Sequence, residues 1–168
     1  MEQAARSGLT LAGLAVLVVL GGLWGWSAMT QPFPGKATPP KCVATGVEPG
    51  EKVFPDQVTV SVFNASGRDG LAGRTMAEFV AAGFAEGDTG NAPRDARVVR
   101  AVVWTPTPQS PDVRLVASRL GPATRVVRRE GPGVGVTVVV GDRYDKLVKG
   151  PRSVQARRAA EICSPPVA

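Results

Sequence analysis

Two kinds of patterning divide this chain. No charged side chain stands between Arg6 and Lys36, and the run from Gly8 to Trp26 (GLTLAGLAVLVVLGGLWGW) is broken in its apolar character only by Thr10. A soluble core helix of that length would carry a polar stripe, whereas about 20 unbroken apolar residues match a hydrocarbon core of ~30 Å. The pattern predicts a transmembrane helix over residues 8–29 behind a short cytoplasmic tail at 1–7, with Trp24 and Trp26 at headgroup level. A cleaved signal peptide is the alternative, Gly25-Trp26-Ser27 being its small-x-small site.

Residues 30–57 carry prolines at 32, 34, 39, 40, 49 and 55. Proline at that density removes backbone donors and favours extended chain, so the stretch reads as a Pro-rich extracytoplasmic linker. From residue 58 the signals alternate. Val58-Thr59-Val60-Ser61-Val62 has the period of a half-buried strand. Ser66-Gly67-Arg68-Asp69 has the spacing of a capping box, and Leu71, Thr75, Met76, Phe79 and Val80 form one helix face that Gly83 ends. A short strand fits near Phe84, and a buried one from Val98 to Trp104. Ser110-Pro111-Asp112 opens a second helix, with Val113, Val116, Ala117 and Leu120 on its apolar face and Gly121-Pro122 as its stop. Thr124–Arg128 and Val134–Val140 read as strands joined by a hairpin loop at Glu130-Gly131-Pro132-Gly133, and Val154–Ile162 has helix-forming residues. The order β-α-(β)-β-α-β-β predicts an α/β (α+β) domain over residues 58–148, a single mixed sheet with two helices on one face. A basic segment, 149–168, follows it.

Composition removes much enzymology. The chain has 168 residues, no His and 2 Cys. That excludes His-based nucleophile pairs, most zinc sites and cysteine-held clusters. No metal, cofactor or catalytic group is expected. Acids that could pair, Asp112, Glu130, Asp142 and Asp145, match no ligand spacing. The 20 Lys+Arg against 14 Asp+Glu make the chain basic. Arg125, Arg128, Arg129, Arg143, Lys146, Lys149 and Arg152, continued by Arg157 and Arg158, suggest a basic face. Outside a membrane such a face suits anionic wall polymer or anionic headgroups and not nucleic acid; it also serves as a solubilising surface.

The cysteines bracket the predicted domain: Cys42 before it, Cys163 after it. In a reducing compartment they would be two free thiols, and in an export-facing domain one disulfide. The loop at Asn64, Ser66, Gly67, Arg68, Gly70 and Arg74 lies between a strand and a helix, where backbone N–H groups can meet an anion or a partner. It matches neither nucleotide-binding glycine fingerprint, so a tight turn is the competing reading.

Val58-x-Val60-x-Val62-Phe63-Asn64-Ala65-Ser66-Gly67-x-x-Gly70-Leu71-Ala72, followed by Met76-Ala77, Gly83-Phe84 and Gly90-Asn91-Ala92, resembles the LytR C-terminal domain family. Val136-Thr137-Val138-Val139-Val140-Gly141-Asp142-x-Tyr144 is similar to its closing strand and loop. The resemblance implies a cell-envelope module, as in the stand-alone, membrane-anchored members of Gram-positive envelopes. Its implied partners are cell-envelope proteins, among them LytR-CpsA-Psr type wall-polymer transferases, or anionic wall polymer or peptidoglycan. The arginine- and aspartate-rich pyrophosphate site of the transferase domain is not found in these residues, so its phosphotransferase activity is not implied.

Overall fold

The computed structural model describes residues 13–26 and 41–166, and the chain divides into two units, Met1–Pro39 and Pro40–Ala168. In the first, residues 13–26 are helical (α1), with Leu14, Leu17 and Trp24 exposed. Among the described residues no helix is long and apolar enough to cross a membrane. The expected tail at 1–7, both ends of the expected span (8–12 and 27–29) and the linker over 30–40 lie outside the described residues.

Among the described residues of the second unit, nine strands form three sheets. The main one contains β3 (Thr59–Asn64), β4 (Ala85–Asn91), β5 (Ala101–Thr105), β6 (Arg125–Arg128) and β7 (Val136–Val140), in the order β4-β3-β7-β5-β6. β3 runs parallel to β4 and β7, and β5 runs antiparallel to β7 and parallel to β6, so the sheet is mixed as expected. The helices α2 (Leu71–Ala81) and α3 (Pro111–Leu120) pack on one face. Leu71, Met76, Phe79, Val113, Leu115 and Val116 meet Val60, Val62, Val103, Val138 and Val140 in one core.

The period-two pattern of β3 predicts one wet face, yet Thr59, Val60, Ser61, Val62 and Phe63 are all buried. The reason is a second, smaller core on the far side of the sheet. Phe63, Trp104 and Val139 are covered there by Ala92, Ala96 and Val98 of the loop after β4. Ser61 is satisfied in that layer, donating to the Val134 carbonyl at 2.6 Å and accepting from the Asp88 N–H at 2.9 Å.

Three expectations are corrected. The loop at Glu130–Gly133 is not a hairpin, because β5 lies between β6 and β7 in the sheet. The linker does not extend to residue 57: β1 (Val43–Val47), β2 (Lys52–Val53) and a 3-10 turn at Pro55–Gln57 are folded. Nor are the last residues a separate basic segment or a helix from Val154 to Ile162. They contain β8 (Val154–Gln155), antiparallel to β2, and β9 (Ala160–Ser164), antiparallel to β1. Helix propensity is a weak preference that tertiary pairing overrides; here Val47, Val53, Ala156 and Ile162 gain burial in the main core. Cys42 and Cys163 are disulfide-bonded beside the β1–β9 pair, with Cα atoms 5.4 Å apart.

Candidate functional site

The strand-to-helix loop is built by side chains turned on its own backbone. Asn64 Oδ1 accepts from the Ser66 N–H at 2.9 Å and from the Ser66 hydroxyl at 2.7 Å, while Asn64 Nδ2 donates to the Arg68 carbonyl at 2.8 Å. Ser66 is therefore not a helix cap. α2 begins at Leu71, its N-cap is Gly70 at φ 68°, and Ser66 Oγ instead accepts from the Arg68 N–H at 3.1 Å. The capping-box spacing was satisfied by a turn, since short polar side chains compete for nearby backbone groups in either role.

The loop is also fastened to the segment after β7. The Gly67 N–H donates to Asp142 Oδ1 at 3.1 Å, and Arg68 Nη1 donates to the carbonyls of Tyr144 at 2.6 Å and Asp142 at 3.3 Å. Behind them the Tyr144 hydroxyl donates to Glu78 Oε2 at 3.2 Å, and the same oxygen accepts from the Leu147 N–H at 2.8 Å. Burial, followed by the negative charge of Glu78, raises the Tyr144 phenol above its usual range and keeps it a proton donor. A carboxylate already holds Gly67 and two carbonyls hold Arg68, so the loop acts as a latch between α2 and the closing segment. Arg74 is exposed on α2 beside Gly70, outside this hydrogen-bond network.

The basic residues do not share one face. Arg125 pairs with Val102 and Arg128 with Thr105, so their side chains leave opposite faces of the sheet. Asn64 pairs with Val140 and Ala101 with Val140, which puts Arg143 and Lys146, just past β7, at the latch end. Thr105 and Arg128 end their strands at the opposite end. Arg129 lies over the Trp104 ring at 4.1 Å and pairs with Asp95 at 3.3 Å, capping the smaller core. Lys149 and Arg152 are exposed on the segment leading to β8.

A groove of about 320 Å³ opens at that opposite end. Pro106, Thr107, Pro108 and Gln109 form one wall, Ala159, Ala160 and Glu161 the other, and Arg128 and Arg158 also line it. The first wall is fixed by the Thr107 N–H donating to Thr105 Oγ1 at 3.1 Å, and Arg158 Nη2 donates to Gln109 Oε1. At its inner edge Ser110 donates to Asp112, a carboxyl that burial raises above its ordinary range. Arg158 belongs to the basic run of the sequence, but nothing local in the sequence joins it to Thr107 and Gln109. The usable signal was the pair of prolines directly after a strand, which marks a rigid loop at a strand's C-terminal end.

The family model described as "LytR cell envelope-related transcriptional attenuator" matches residues 57–144. No curated protein matches the chain. Among solved structures, the soluble domain of a conserved hypothetical secreted protein from Mycobacterium marinum is similar, with 23% identity and a TM-score of 0.48 over 62% of this chain and 79% of that one.

Proposed function

The chain belongs to the LytR C-terminal domain family, and from that premise we propose that it is an extracytoplasmic module of the cell envelope. Its apolar N-terminal run anchors it to the membrane as a single pass, and the disulfide-closed unit works outside, binding envelope components and not catalysing a reaction. The observation that carries this reading is the Cys42–Cys163 bond. Disulfides persist in oxidising compartments, and this one joins the residue just before β1 to the last strand, β9. A cell-envelope protein, such as a wall-polymer transferase, is the proposed partner; the second reading, a receptor for anionic wall polymer, is favoured by the two arginines in the groove.

Labelling intact bacteria with a membrane-impermeant maleimide tests the location. Both sulfurs should be modified after treatment with reductant and neither before it. Labelling that requires broken cells would overturn the proposal. Cross-linking from the folded unit in living cells should then capture an envelope component.

A further inference from the structure

We infer that the groove between the β5–α3 loop and the β9 approach binds a phosphodiester flanked by hydroxyl groups, as carried on a polyol or sugar chain. This rests on the reading of the unit as an extracytoplasmic binding module and names the ligand chemistry. Among the described residues, two ion pairs form, Lys41–Asp88 and Arg129–Asp95. Neither Arg128 nor Arg158 takes part, yet both line the same recess. Arg158 is oriented by Gln109, and Arg128 issues from a strand whose register is set by β5, so both arginines are rooted at the recess.

A guanidinium presents a planar fork that bonds oxyanions two oxygens at a time. One fork suffices for a carboxylate. Two forks in one recess suit a phosphate, whose charge is spread over several oxygens. The rest of the lining limits how much charge can enter. Glu161 repels a second anion and accepts from a hydroxyl, as Thr107 does, while Pro106, Pro108 and Ala160 offer apolar surface to the carbon skeleton of a ring or chain. The N-terminus of α3 already carries an acid, Asp112, which accepts from the Ser110 hydroxyl. A membrane surface is read by clusters of roughly 4–8 cations; two arginines beside a glutamate are a site for one phosphate.

The test uses the full chain in non-ionic detergent and a synthetic glycerol-phosphate oligomer, with the affinity measured by calorimetry. Phosphate-free polyglycerol and phosphatidylglycerol vesicles are the comparison probes. Arg128→Gln and Arg158→Gln should each weaken oligomer binding roughly tenfold, the effect of losing one charge-assisted contact. Arg158→Lys, which keeps the charge without the fork, should fall between. Arg143→Gln and Lys146→Gln, at the other end of the sheet, should leave binding unchanged. The inference is overturned if the oligomer does not bind, if polyglycerol binds equally, or if the groove variants bind like the unsubstituted chain. It is equally overturned if vesicles bind and the oligomer does not. Outward maleimide accessibility in cells is independent of these results, so a failed groove leaves the envelope reading standing.

Discussion

Arg68 and Tyr144 are joined by a 2.6 Å hydrogen bond from the guanidinium to the main-chain carbonyl, across 76 residues of sequence. The bond ties the turn before α2 to the chain leaving β7. It makes this arginine a structural fastener, although its place in a glycine-rich strand-to-helix turn suggested a contact for an anion.

Replacing Arg68 with Met should destabilise the folded unit by about 1–2 kcal/mol, because two carbonyls lose a charged donor. Denaturant titration should show a lower midpoint with an unchanged slope. A midpoint equal to that of the unsubstituted chain would remove the fastening role.

The Tyr144 phenol ionises less readily when folded than its ordinary value of 10.0. An unfolded chain therefore releases this proton first as pH rises, and the contribution to stability, complete below pH 10, is lost progressively above it. Tyr144→Phe should reduce the loss of stability between pH 9 and pH 11, as measured by urea denaturation at both values. An identical loss in the two proteins would contradict the assignment.

The disulfide spans 121 residues. In the chain-entropy treatment a loop of that size stabilises the fold by up to about 5 kcal/mol. Cys163→Ser should lower the melting temperature, and reductant should lower that of the natural chain to the same value. Equal melting temperatures with and without reductant in the natural chain would rule out a stabilising bond.

Gly135 adopts φ 68°, and a Cβ there would run into the Thr59 carbonyl oxygen. Both the left-handed backbone and the contact oppose any side chain, so Gly135→Ala should cost more than about 2 kcal/mol. Gly73→Ala, in the first turn of α2 with open space around it, should instead stabilise by roughly 0.5–1 kcal/mol. Thermal melts of the pair should move in opposite directions, and a common direction would refute this account of the two glycines.

Local chemistry made much of this molecule legible. The apolar faces of α2 and α3, the valine runs of β3 and β7, and the stop at Gly83 follow from periodicity and backbone preference, which act over a few residues. The family followed from the Asn64–Ala72 motif for the same reason. What a strand or an arginine faces depends on residues far away. Residues 43–57 and 154–164 look like linker and helix until each is seen pairing with the other. Their strand form is a mutual consequence of β1 meeting β9 and β2 meeting β8.

The candidate sites divide in the same way. Sequence alone established which cations exist, which cysteines could pair, and that no histidine is available. Only the tertiary structure decided that Arg125 and Arg128 leave opposite faces, that Arg68 is committed to carbonyls, and that Arg158 shares a groove with Arg128. Charge and periodicity are properties of single residues and their near neighbours. A recess is a relation among β5, β6, α3 and β9, and strand order, which places them together, is not written in any one of them.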